Sequence, residues 1–243
     1  MVKIFDPYIE DVRRLLTSDA FQYPAKDSFF EEGLTWPRGR PGGIILNTET
    51  AIELGHPQTE SLAFLMWTDT TDKIWDGVTT VVGPELIELD AGKSPFGKIT
   101  LIGGHGFTED NAYERFQEMD LVRTRLCLQG HMLRAVPQQN REWSRISREG
   151  LREGFSLKIL GNELVREYRK LAYVDTVEVI FITSSVQDIQ RFRPTGEKVS
   201  QIITAMNRIF DELEFDCAAC DFSDVCNEVE GLRAMHKRAR DKR

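Results

Sequence analysis

Downstream of Gly43 the chain is punctuated into short apolar runs, at residues 44–46, 61–67, 78–82 and 98–102, each bounded by glycine, proline or aspartate. Runs of that length, rich in valine, isoleucine and threonine, predict strands rather than helices. Strands that follow one another without an intervening helix predict antiparallel pairing.

The second half of the chain has a different rhythm. Residues 111–129 predict a helix, with acidic Glu109 and Asp110 at its start, Arg123 and Arg125 in its last turn and Gly130 as its stop. A strand over 142–146 follows, then a helix over 157–171 whose apolar face is built from Ile159, Leu160, Leu164, Val165, Tyr168 and Leu171. Residues 176–182 become apolar on both faces, as a central strand requires. A last helix is predicted over 197–213, leading directly to Cys217. Ahead of Gly43, a helix over 7–16 and a passage rich in proline and glycine read as an arm packed on the core. The expected class is α+β, with a mixed, largely antiparallel sheet, packed helices and a short C-terminal cysteine segment. The expected divisions are an arm at 1–42, the α+β domain at 43–214, and the cysteine segment with its basic tail at 215–243.

With 243 residues, 41% of them apolar, the chain can bury a substantial core. Its net charge of −8, despite a basic C-terminal stretch, argues against general nucleic-acid binding. No signal-peptide pattern and no run of bilayer-spanning length is found. Four cysteines, three of them clustered, do not suggest a disulfide-stapled secreted domain. A soluble cytoplasmic protein is the expectation.

Those three cysteines, Cys217-Ala-Ala-Cys220 and then Cys226, carry the strongest chemical signal. Closely spaced thiolates can converge on a metal or an iron-sulfur cluster, although a redox pair, a disulfide and inert buried thiols are also consistent with the pattern. His236 is the candidate fourth ligand, set in a basic stretch that also reads as solvated. A second signal is the run Arg134, Arg141, Arg145, Arg148 and Arg152 around Trp143. Guanidinium groups hold phosphates and an indole can stack on a base, so Arg134, Arg141, Trp143 and Arg145 form a candidate nucleotide or coenzyme A site. The bland alternative pairs Arg148 and Arg152 with Glu149 and Glu153 on a solvated turn. Gly103-Gly104-His105-Gly106 reads as a tight turn, His105 and His131 as isolated histidines, and Glu114, Glu118 and Asp120 mostly as a solvated helix face.

Taken together, Thr50-Ala-Ile-Glu-Leu54, Val82-Gly-Pro-Glu-Leu-Ile87, the stretch 121–130, Asn140-Arg-Glu-Trp143, Gly154-Phe155, Val177-Glu-Val-Ile-Phe-Ile-Thr183 and Cys217-Ala-Ala-Cys220 resemble the acetyl-CoA synthase family. This is the beta subunit of the acetyl-CoA decarbonylase/synthase and carbon monoxide dehydrogenase complex. The likeness covers approximately residues 48–235, the family's middle domain and the opening of its cluster-bearing domain. It implies that Cys217, Cys220 and Cys226 occupy the first three cysteine positions of a [4Fe-4S] site. The fourth family cysteine, in Gly-Leu-Cys, corresponds to Arg233 in Gly231-Leu232-Arg233, and no Cys-Gly-Cys nickel motif follows. Arg134 stands where the family carries a tryptophan near its coenzyme A contacts.

The resemblance therefore implies an accessory protein of one-carbon and corrinoid metabolism that binds an iron-sulfur cluster, or zinc, and a protein partner. The partner would be a corrinoid iron-sulfur protein or a carbon monoxide dehydrogenase-type subunit. Nickel, and with it acetyl-CoA synthase activity by this polypeptide alone, is not expected. The alternatives are a non-catalytic interaction module with structural or no metal, and a divergent coenzyme A-binding acyltransferase.

Overall fold

The apolar runs become strands of two sheets in a computed structural model that describes residues 3–18, 21–90, 92–136 and 139–211. In chain order the elements are α1 (Asp6–Leu16), β1 (Ala25–Phe29), β2 (Thr50–Leu54), β3 (Ser61–Thr68), β4 (Val78–Val82), β5 (Gly92–Ser94) and β6 (Phe96–Gly104). There follow α2 (Ala112–Arg125), β7 (His131–Val136), β8 (Arg141–Ser147), α3 (Arg148–Arg152), α4 (Leu157–Tyr168), β9 (Val174–Ile182) and α5 (Val186–Asp211).

The larger sheet has the order β1-β4-β9-β6-β3, and the smaller has the order β5-β2-β8-β7. Both are mixed, as the expected α+β class allows. Pairing between neighbours in sequence, however, fails for the early strands. β3 lies parallel to β6 and β4 parallel to β9, whereas β6 and β9 run antiparallel. The physical reason is burial: β3, β4 and β6 are buried at every residue, as strands of a sheet covered on both faces are, even though β3 lies at its edge. As predicted, β9 is the central strand.

Strand register sorts the side chains by face. Glu178 of β9, Leu101 of β6 and Met66 of β3 point to the side covered by α1 and α5; Val179, Thr100 and Leu65 point to the side of α2 and α4. On the first side Arg13 of α1 meets the fully buried carboxylate of Glu178, which also accepts from Trp75 N at 3.0 Å. Asp6 accepts from Thr68 Oγ1 at 2.6 Å, so α1 is pinned at two points. On the other side Gly161 lets α4 approach β4: a Cβ there would lie 2.3 Å from Thr79 Oγ1. The N-terminus of α4 receives two acceptors, Ser156 Oγ on Ile159 N and Glu85 Oε1 on Leu157 N.

Several sequence expectations change here. Residues 44–46 are not a strand: Ile45 N donates to Met132 Sδ and Ile45 O accepts from Arg145, so side chains satisfy this backbone. The helix predicted to Gln129 ends at Arg125, because the next carbonyls are drawn sideways: Gly39 N donates to Cys127 O, and Arg38 bridges Leu128. The last helix starts at Val186 rather than at 197, with Pro194 in its interior. The lost hydrogen bond is outweighed by burial of Ile189, Phe192 and Val199 on the sheet. Strands β1, β2, β5 and β7 were not among the strands expected from the sequence. β1 is almost wholly exposed and is held as an edge strand by β4, with Thr80 Oγ1 donating to Asp27.

Candidate functional site

β8 alternates strictly between half-buried and buried residues, and this divides its side chains between two environments. Arg141, Trp143 and Arg145 face outward, while Glu142, Ser144 and Ile146 face the interior. Register places Arg134 of β7 opposite Trp143, so all four residues predicted as a ligand site share the outer face of the smaller sheet.

That face is organised around Glu53 of β2. Its carboxylate accepts from Trp143 Nε1 at 2.8 Å and lies 3.5 Å from Arg145 Nε and 3.8 Å from His56 Nε2. The Arg145 guanidinium lies over the indole, 4.7 Å from its centroid, and donates to Ile45 O. Arg141 donates to Thr59 O at 2.9 Å. Two of the predicted arginines are therefore tied into the framework. Arg134 is exposed, and among the described residues its side chain donates to the carbonyl of Leu133. Exposed Ile44, Leu46 and Val136 complete the face. Arg148 and Arg152, expected as ion pairs with neighbouring glutamates, instead donate to Thr48 O and Arg148 O.

The inner side of β8 holds a charged cluster. Glu142, 1% exposed, accepts at Oε1 from Lys98 Nζ at 2.6 Å and from Arg123 Nη1 at 3.3 Å; Arg123 Nη2 also donates to Asp120 at 2.6 Å. Burial works to raise the Glu142 carboxyl, but Lys98 and Arg123 outweigh it and hold the group below the usual carboxylate range. Burial pulls Lys98 down against the attraction of Glu142, and pushes Asp120 up. The two directions for the Lys98–Glu142 pair compete; with two cations on one carboxylate, the ionised Glu142 is the secure charge. His131 is sealed at both ring nitrogens, although the residue as a whole is only half-buried, and it stacks on Phe155 at 5.6 Å. Burial, then the positive charge of Lys98, lowers it to about 4, so it is neutral.

A cavity of about 620 Å³ opens above this cluster, between α2, α5 and the edge strand β3. Lys98, Arg123 and Glu142 line its floor; Phe64, Tyr113 and Phe116 contribute aromatic wall. Asn140, the one described residue other than glycine with positive φ, also lines it. Sequence reasoning passed over this cluster, and Asp120, expected on a solvated helix face, belongs to it. The available signal was phase: Glu142 alternates with Ser144 and Ile146, the buried positions of its strand, and Lys98 sits among the apolar residues of β6.

Cys217, Cys220, Cys226 and His236 lie outside the described residues. Among the described residues no group of three or more His, Cys, Asp or Glu side chains is placed to hold a metal. No helix among them is long and apolar enough to cross a membrane.

The described residues thus define an α+β domain with a buried Lys98–Glu142–Arg123 cluster beneath a cavity and an outer face that gathers Arg134, Arg141, Trp143 and Arg145. The chain belongs to the CO dehydrogenase/acetyl-CoA synthase complex beta subunit family, which it matches over residues 40–187. It is 26% identical over 188 residues to the carbon monoxide dehydrogenase/acetyl-CoA synthase subunit alpha of Moorella thermoacetica. That alignment covers 74% of this chain and 25% of the Moorella protein, so the chain spans about a quarter of its relative's length.

Proposed function

We propose that this chain is an accessory component of a CO dehydrogenase/acetyl-CoA synthase-type assembly, binding an iron-sulfur cluster through Cys217, Cys220 and Cys226 and docking a protein partner. The observation that carries the reading is the family match over residues 40–187, in a chain whose α5 leads toward that cysteine trio. The donor set fits a [4Fe-4S] cluster at three corners, leaving the fourth to His236 or an exogenous ligand, with zinc as the alternative occupant. When bound, such a cluster supplies one-electron transfer, to a corrinoid iron-sulfur protein or a carbon monoxide dehydrogenase-type subunit in this reading. With three of the four cysteines on the cluster, Cys127 alone remains, too few thiolates for a nickel site within these residues.

Anaerobic purification should yield a brown protein with about four irons per chain. Cys220→Ser should bleach it. A colourless, iron-free anaerobic preparation rejects the cluster, and stoichiometric zinc in its place selects the structural-metal alternative.

The outer face of β8 favours a second role for the same module. Arg134 and Trp143 are paired across β7 and β8, an arrangement suited to an anionic group beside a stacking surface. If coenzyme A binds here, Arg134→Ala should weaken it about tenfold, by loss of a charge-assisted bond, with no change in melting temperature. Unchanged affinity in that variant, or no saturable binding to wild type, removes the coenzyme A role.

A further inference from the structure

Two cavities open side by side along α2. The first, of about 620 Å³, lies between α2, α5 and β3; the second, of about 820 Å³, lies between the end of α2, β7 and the loop at 38–45. Asp120, Leu121 and Arg123 line both, so the two adjoin along one side of the helix, and Leu121 on that side is 45% exposed.

The two halves differ in character. In the first, Lys98 and Arg123 are balanced by Glu142 and Asp120, and the rest of the lining is largely apolar, with Phe64, Tyr113, Phe116 and Ile203. The second carries uncompensated cations. Arg40 and Arg134 both line it, both are exposed, and neither pairs with an acidic side chain among the described residues. In a chain of net charge −8, arginines left in this state point to an acidic occupant from outside those residues.

The sequence supplies one. Glu212 to Leu232 holds seven aspartates and glutamates and no lysine, arginine or histidine, with Leu213, Phe215, Phe222, Val225 and Val229 interleaved. It also begins in the right place: Asn207 lines the first cavity, and α5 ends at Asp211, about 6 Å of helix further on. These 21 residues can extend to about 70 Å, against about 21 Å for the 14 residues of α2. An occupant tethered beside the groove acts at an effective concentration in the millimolar range, an advantage that a second copy or a separate partner lacks.

We infer that residues 212–232 dock along α2, with Phe215 in the aromatic cavity and the acidic side chains beyond it facing Arg40 and Arg134. Docked so, they carry Cys217, Cys220 and Cys226 along a groove that Cys127 also lines, and the folded domain positions the cysteine trio.

Glutamyl endopeptidase reads the docking, because it cuts after Glu214 and Glu228. In the full chain these cuts should be slower by about tenfold or more than in a free peptide of residues 212–232. Protection should persist in Cys220→Ser, so that a bound cluster is not its source. Arg40→Glu with Arg134→Glu should restore fast cleavage with the melting temperature unchanged. Phe215→Ser, outside the described core, should do the same with both arginines intact. Equal rates in chain and peptide, loss of protection in Cys220→Ser, or protection that survives the arginine and Phe215 variants each overturns the inference. Protection that disappears on dilution overturns it in favour of a second copy. Iron content tests the cluster separately, so either proposal can fail alone.

Discussion

A neutral imidazole at His131 ties the interior of the smaller sheet to pH. Its value is about 4 in the folded chain against an ordinary 6.5, so the unfolded chain takes up the proton first as pH falls. The stability this represents is complete above about 6.5 and is lost progressively down to about 4. At pH 5 the loss is on the order of 2 kcal/mol. His131→Phe keeps an aromatic ring against Phe155 and removes the titration. Denaturant unfolding at pH 7.5 and pH 5 should therefore show a smaller acid loss in the variant than in wild type; equal losses would reject this role. The same residue scale shows why the candidate ligand residues were half legible. Arg141, Trp143 and Arg145 are adjacent in sequence and their chemistry is plain. Glu142 stands between Arg141 and Trp143; its phase marks it as buried, but its partners could not be read locally, because Lys98 and Arg123 come from β6 and α2.

Among the elements, α4 and β4 define how closely a helix can lie on the larger sheet. Gly161 faces Thr79 in the interior of β4, and a methyl group there would fall within 2.4 Å of two Thr79 atoms. Alanine gains about 1 kcal/mol of helix propensity over glycine, whereas overpacking between two anchored elements costs about 1–3 kcal/mol. Overpacking should win at this separation. Gly161→Ala is expected to lower stability by about 2 kcal/mol in denaturant titration, with part of the loss restored by Thr79→Ala. A neutral or stabilising Gly161→Ala would mean that α4 can move away freely. Helix periodicity had placed α4 correctly, since Leu160, Leu164 and Tyr168 recur on one face. It also shows a limit: the last helix was expected from 197, yet α5 begins at Val186 and runs through Pro194, and Gly196 permits close approach to Leu62 and Phe64 of β3.

For the whole molecule, the core described by residues 3–211 covers both faces of the larger sheet, with Phe5, Trp67, Phe181 and Phe192 fully buried. A cluster held by Cys217, Cys220 and Cys226 should accordingly report on partner chemistry more than on folding. The Cys220→Ser variant, expected to lose its iron, should melt within a few degrees of wild type. A collapse of the melting temperature would instead make the metal a structural element of the domain. The sequence alone determined α2, α4 and the strands with strong apolar runs, the central position of β9, the family resemblance and the gathering of arginines around Trp143, because each depends on local periodicity or on neighbours along the chain. Tertiary structure alone decided the parallel pairings, the division into two sheets and the Lys98–Glu142–Arg123 cluster beneath a cavity. Those features join residues 19 to 100 positions apart, and such pairings follow from which buried faces meet, a choice that no local pattern encodes.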